Sequence, residues 1–401
     1  VDSPAIDINP AEYLRITYRV VNYGYIFQQD SLNGNIFGET LKNDFSFNHS
    51  HPAIAGVYYP FSFRKERRFG LFLFSRLIGT SYLDLKQENA NLYVYDYPQE
   101  KEMKLDLQME RDEITSAYGF GFAFEVTPRL KAGFMIEKME TESNRLFMGY
   151  AVDSGEDYEY TYINKTKINA DALLFNLGFS LDLKPGSRID LLLTKIEGMN
   201  IEIEKELTGR YVPDLPPIMS GFEYYAEDNY SLKFPVRIKL TYIKQISSHF
   251  FRLDLEIIPG YENSGTVFTD YPHLSSRFHE VKNPVFSPKI RYAYTFIKEN
   301  DFNLSIGSEL SYKKSQDPMP DEENGKTYSD QYVSNSDLAM DYYKLGADVN
   351  IFYKLAMLKI GLLTVSGKGK LRAYDIQSNK TAISDISAEA FVLICNLTFF
   401  F

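Results

Sequence analysis

The sequence predicts an all-β fold, a 14-stranded antiparallel transmembrane β-barrel, on three observations. Apolar and polar residues alternate with a period of two in segment after segment, as in a sheet with one apolar face. Long and short connections alternate along most of the chain, as strands running up and down through a membrane require. No run of about 18 apolar residues occurs, so no transmembrane helix is expected, and a barrel strand needs only alternate residues to be apolar. A length of 401 residues fits a single all-β unit of this kind.

Composition narrows the function. The chain holds 31 Tyr and 30 Phe but no Trp. Its net charge of −11 argues against a nucleic-acid partner. Acidic residues crowd into residues 100–113 and 317–323, which read as solvated loops. Cys395 is the only cysteine, which excludes a disulfide framework and a thiolate metal cluster. His49, His51, His273 and His279 fall in or near loops and His249 in a turn, with no G-x-S-x-G nucleophile motif. No enzyme is expected. His49-Ser50-His51 lacks a clear third ligand, so no metal site is expected either. Gly367-Lys368-Gly369-Lys370 lacks the spacing and the strand–loop–helix context of a phosphate loop, and no cofactor is expected. The chain opens at Val1 without an apolar leader, which reads as a mature or trimmed chain whose export signal is gone.

Strand one is expected over residues 13–27, with Ile16, Tyr18 and Val20 on one face and Thr17 and Arg19 on the other. A polar loop with Asn33-Gly34 and Asn35 leads to strand two (52–59), a short basic link (60–68) to strand three (69–85), and an acidic loop reaches residue 111. Strand four sets Tyr118, Phe120, Phe122 and Phe124 against Gly119, Gly121 and Ala123, and Thr127-Pro128-Arg129 turns it into strand five. There Leu130, Ala132, Phe134 and Ile136 oppose Lys131, Gly133, Met135 and Glu137. After a loop over 142–164, strand six sets Phe175, Leu177, Phe179 and Leu181 against Asn176, Gly178, Ser180 and Asp182. Lys184-Pro185-Gly186 then turns into strand seven (188–203), and a loop covers 206–229.

Strand eight alternates Val236, Ile238, Leu240 and Tyr242 with Arg237, Lys239 and Thr241; strand nine alternates Phe251, Leu253, Leu255 and Ile257 with Arg252, Asp254 and Glu256. A loop over 261–280 precedes strand ten, where Ile290, Tyr292, Tyr294 and Phe296 oppose Lys289, Arg291 and Thr295. Strand eleven follows at 302–307, an acidic loop at 315–336, strands twelve (340–353) and thirteen (357–374), and the closing strand. An even count puts both chain ends on the side of the short turns.

A barrel of this width lies between one filled by its side chains and one that holds an aqueous channel, so its interior is plugged or conducts. Gly119, Gly121, Gly133, Gly178, Gly307, Gly346 and Gly361 sit on the expected inner face. They either leave room for a ligand or plug, or ease curvature. The inner face of strands eight to ten carries Arg237, Lys239, Arg252, Asp254, Glu256, Lys289 and Arg291. These either pair across the sheet or leave an arginine, Arg237 or Arg291, to hold an anionic headgroup such as a carboxylate.

Residues 391–401, FVLICNLTFFF, end the chain on an aromatic at period two. This stretch resembles the closing strand of bacterial outer-membrane barrels. The resemblance implies an outer-membrane location among its lipids and periplasmic short turns and termini. It also implies extracellular long loops and a barrel-assembly machinery that reads the terminal aromatics, here Phe399 and Phe401.

Asn9-Pro10-Ala11 precedes the first strand, and strand two begins with Pro52-Ala53-Ile54-Ala55-Gly56-Val57-Tyr58-Tyr59. These features resemble the FadL/TodX family of outer-membrane channels, fourteen-stranded barrels plugged by an N-terminal hatch that carries an Asn-Pro-Ala motif. The resemblance implies uptake of long-chain fatty acids or other hydrophobic compounds, with lateral release through the wall. It also implies a division into residues 1–11, the remnant of the hatch, and residues 12–401, the barrel. The alternative reading is a FadL-like partner subunit of an outer-membrane secretion complex, and a general porin comes third. Residues 213–219 are the one apolar loop candidate, or an ordinary rigid loop.

Overall fold

The computed structural model describes residues 9–36, 39–43, 49–63, 67–96, 99–153, 159–212, 222–267, 276–299, 301–316, 332–334, 338–375 and 380–401. Their backbone is almost wholly extended, because alternating β-branched, aromatic and small residues suit a pleated surface buried on one side. The wall strands, numbered in chain order, are β1 (Val20–Ile36), β2 (His49–Phe63), β3 (Arg67–Asp96), β4 (Gln99–Glu125), β5 (Leu130–Asp153), β6 (Glu159–Lys184) and β7 (Ser187–Val212). Three strands in two pieces follow: β8 (Phe222–Leu232 and Arg237–Ile246), β9 (His249–Ile258 and Tyr261–Val267) and β10 (Ser276–Lys282 and Val285–Lys298). The last are β11 (Phe302–Lys313), β12 (Leu338–Tyr353), β13 (Ala356–Asp375) and β14 (Lys380–Phe400). Each pairs antiparallel with its sequence neighbour, and β1 pairs with β14 from Val20↔Phe400 to Gly34↔Ile386, closing a 14-stranded barrel.

Side chains sort by face as period two demands. Leu173, Leu177 and Leu181 on β6, Phe251 and Leu253 on β9, and Leu358, Ile360 and Leu362 on β13 lie exposed on the outside. From Leu181 up to Leu173 the belt rises roughly 20 Å at the usual strand rise and tilt. Inward, Arg76, Glu137, Asn176, Asp190, Lys239, Asp254 and Asp348 are buried. A surface apolar outside and charged inside is a lipid-spanning wall. The short turns are tight: Gly186 adopts φ +71° and a Cβ there would meet the Gln245 carbonyl at 2.4 Å.

Several expectations are corrected. The acidic loop after strand three is a ribbon, since β3 and β4 pair without a loop from Phe69↔Phe124 to Asp96↔Gln99. The expected loops at 142–164 and 206–229 are likewise mostly extensions of β5–β8. Above the belt both faces meet water, so the apolar alternation fades while the hydrogen-bond ladder continues. Residues 13–15 are not strand: Pro10–Arg15 is a 3₁₀ helix, its entry set by the fixed φ of Pro10, and β1 starts at Val20 and runs on through Asn33-Gly34-Asn35. Within 261–280, two short strands pair with each other, and Ser276–Lys282 also pairs parallel with Tyr332–Ser334. His273 and residues 213–219 and 317–323 lie outside the described residues.

At one level the ladder lapses. β7 pairs with β8 up to Thr194↔Arg237 and again from Met199↔Leu232, but residues 195–198 and 233–236 make no ladder with each other. Gly198, at φ +60°, sits in a bulge of β7 there. The neighbouring strands break at the same height, at residues 259–260 and 283–284. Pro235, Pro259 and Pro284 fall in these three breaks, and proline donates no ladder hydrogen bond. The upper piece of β9 pairs with β10 but has no ladder to the upper piece of β8.

Leu253→Arg, placing a cation on the outer face, should cost about 2–4 kcal/mol of barrel stability in reversible denaturant unfolding from lipid vesicles.

Candidate functional site

The interior is built around the short helix Pro10–Arg15. It rests inside the barrel at the short-turn end, against β5 and β6, where glycine removes the side chains that would fill its seat. A Cβ at Gly178 would lie 2.0 Å from Asn9 Oδ1, and one at Gly133 would lie 2.6 Å from the Pro10 carbonyl carbon. Asn9 then anchors the turn: its Nδ2 donates to the carbonyls of Phe179 (3.1 Å) and Leu191 (3.3 Å), and its Oδ1 accepts from the Ala11 N–H (3.0 Å). Ala11 is fully buried.

Charges complete the dock. Arg15 donates to Asp182 (2.6 Å) and Ser180 (2.8 Å), and Lys131 reaches the other Asp182 oxygen at 2.7 Å. Arg188 donates to Glu12 (2.9 Å) and to Asp190 (3.0 Å). Burial, joined by a hydrogen bond with Asp190, pushes the Glu12 carboxyl up to about 7, against the pull of Arg188 and Arg252. The polar faces of strands five and six, with Lys131, Gly133, Gly178, Ser180 and Asp182, thus form the seat of the Asn-Pro-Ala segment.

The other inner glycines do different work. Gly121 lies under the Phe72 ring, and a Cβ at Gly307 would crowd the Asp348 carboxylate oxygens at 3.0 Å. Gly119 lies against the backbone of β5 at Ile136 and Glu137.

A polar layer lines the wall above the helix. Arg76 grips Glu137 through two hydrogen bonds of 2.6 and 2.7 Å, and Asn176 donates to Glu137 and accepts from Thr194. This pair is almost fully buried, so removing either partner would strand a charge at a cost of about 3–5 kcal/mol. Around the wall, Arg252 pairs with Asp254, which also accepts from Thr241; Lys289 pairs with Glu309 (2.9 Å); and Arg291 reaches both Asp348 oxygens at 2.8 Å. Lys239 is buried beside its cross-strand partner Glu256. Among the described residues, Arg237 makes no hydrogen bond or ion pair, and neither does Lys359, which faces the Arg291–Asp348 pair. The wall charges therefore form a ladder of ion pairs that leaves Arg237 and Lys359 over.

Apolar clusters flank this layer. Val20, Tyr58, Phe72, Phe74 and Met135 pack below it, and Ala117, Met139, Ala172, Leu174 and Ile196 above it, with Phe234 against the upper set. The sequence reading did not single out Arg76, Glu137 or Asn176 as a unit. Glu137 and Asn176 stand on faces it marked polar, but only the closed barrel brings Arg76 to them. Phe399 and Phe401 are exposed at the short-turn rim, where Phe401 exchanges backbone hydrogen bonds with Arg19.

No protein-family model and no curated protein matches the sequence. Solved structures do match in fold. The chain is similar to the toluene transporter TodX of P. putida, at 11% identity and a TM-score of 0.59, over 98% of this chain and 92% of that one. A FadL homologue from Pseudomonas aeruginosa matches at 10% identity and 0.55, and the toluene transporter TbuX of Ralstonia pickettii at 11% and 0.54, each over 98% of this chain and 92% of the other. The fold is thus that of the FadL-type hydrocarbon channels, traced over nearly the whole chain.

Two outcomes test the dock. Gly178→Val should displace Asn9 and raise single-channel conductance in planar bilayers at least several-fold over the parent chain. The Glu12 carboxyl, raised when docked and ordinary when released, binds a proton more tightly in the docked state. Docking is therefore strongest below about pH 4.5 and weakens as pH rises towards 7, then stays level. Hydrogen exchange at the Ala11 amide should speed up across that window, and Glu12→Gln should remove the dependence.

Proposed function

We propose that this chain is an outer-membrane channel for uptake of hydrophobic compounds, long-chain fatty acids or monoaromatic hydrocarbons, and is not an enzyme. One observation carries the reading: a helix seated on glycines occupies the lumen at the short-turn end, while apolar side chains line the interior above the polar layer. A general porin needs a continuous aqueous path, which a seated plug opposes. The fold shared with two toluene transporters supports the same substrate class. In this reading the short turns and both termini face the periplasm, and the segment up to Ala11 belongs to the hatch. The barrel-assembly machinery reads Phe399 and Phe401. Arg237 and Lys359, the lumen cations left over by the ion-pair ladder, receive the carboxylate of a fatty acid, whereas Arg291, Lys289 and Arg252 are held by their carboxylates.

The test is uptake of radiolabelled toluene and oleate by cells expressing the chain, beside its conductance in planar bilayers. Uptake several-fold above a vector control, with little steady conductance, is the expected result. Arg237→Gln should weaken oleate uptake and spare toluene. A steadily conducting barrel without uptake overturns the proposal in favour of a porin.

A further inference from the structure

We propose that the outer face of the short-turn rim holds the phosphate of an anionic phospholipid between Arg19 and Lys354. The inference concerns the lipid-facing surface alone and stands apart from the uptake reading. In a chain of net charge −11, the short-turn end is basic. Among the described residues Arg19, Arg67, Arg129, Lys184, Lys298 and Lys354 are exposed there, against Glu299 and Asp301. Two of these cations flank one exposed ring, that of Phe401. Phe401 exchanges backbone hydrogen bonds with Arg19, and the Phe400 N–H donates to the Leu355 carbonyl at 2.8 Å. The Lys354–Leu355 turn, Phe401 and Arg19 therefore stand side by side on the rim.

Both cations are held in place, and neither is neutralised. The Arg19 guanidinium lies 4.4 Å over the centre of the Tyr59 ring and donates to the Tyr59 hydroxyl at 2.8 Å. Lys354 Nζ lies 5.2 Å from the centre of the Tyr353 ring. Among the described residues no carboxylate pairs with either side chain. A guanidinium already fixed on a ring loses little freedom when its remaining N–H groups grip a phosphate. Lys354 also adopts φ +51°, a left-handed conformation that glycine or asparagine takes with less strain. A lysine at such a turn, with its ammonium unpaired, points to a use for that charge.

The depth also suits a lipid. Phe399, Val21 and Val57 lie in register across β14, β1 and β2 and are exposed on the outside. Arg19 stands two residues beyond Val21, roughly 7 Å along the strand, at the lower edge of the apolar belt. There a phosphate on Arg19 and Lys354 leaves its acyl chains over Val21, Val57 and Phe399. Two cations without a carboxylate beside them attract a lipid of net negative charge, such as phosphatidylglycerol. They repel the ammonium of phosphatidylethanolamine.

The chain has no tryptophan, so a single one reports its own lipid neighbours. Tyr23→Trp places a reporter on the exposed column above Arg19, and Leu253→Trp places a control in the belt on β9. In vesicles of mixed lipid, brominated phosphatidylglycerol should be favoured over brominated phosphatidylethanolamine at least three-fold more at the first position than at the second. Arg19→Gln should erase that difference. Lys354→Gly relieves the left-handed turn, so it should fold at least as well as the parent and still lose most of the preference. That outcome separates headgroup binding from folding. Equal preference at the two reporters, or a difference that survives Arg19→Gln combined with Lys354→Gly, overturns the site.

Discussion

Closure of the backbone ladder is the constraint from which the rest follows. In hydrocarbon each unpaired N–H or C=O costs several kcal/mol, so a sheet survives there only by joining its first strand to its last. Here β14 does this along β1, from the aromatic rim at Phe400 to well above the apolar belt. Closure turns the polar face of each strand inward, and that brings Arg76 to Glu137 and Asn176, a meeting that no local signal marks. The interior is then too wide for wall side chains alone, and the chain fills it with a helix of its own and a layer of paired charges.

That filling works by subtraction as much as by contact. Gly133 and Gly178 hold the helix because they lack side chains, and Asn9 uses the freed space to satisfy two strand carbonyls. The ion pairs join residues of one strand, such as Arg252–Asp254, or of strands one or two places apart, such as Lys289–Glu309 and Arg291–Asp348, and among the described residues this leaves Arg237 and Lys359 over. The ladder lapses at residues 233–236, beside breaks at 259–260 and 283–284, and there the side chains of Lys195 and Asn263 reach the freed backbone of β8.

Much of the barrel was legible in the sequence because lipid and lumen impose opposite chemistry on alternate residues. Strands eight and nine, with Leu240 and Leu253 outside and Lys239 and Asp254 inside, show it plainly. The ribbons above the belt were not legible: water on both faces of residues 100–113 erases the alternation, and only pairing with β3 makes them strand. The inner glycines were visible as a class, but choosing Gly133 and Gly178 for the helix required knowing where Pro10 lies. Asn263 read as a loop residue, since a single amide that replaces a ladder has no sequence period.

The lapse beside β7 has one further property. The strands part after Thr194↔Arg237 and rejoin at Met199↔Leu232 with the same offset, so no residue is gained or lost across the gap. For this pair of strands shear, which with strand number fixes a barrel's width, is the same on both sides of the lapse. The missing ladder bonds therefore soften the seam without resizing the cylinder. Local compliance and overall diameter are separable traits of this wall.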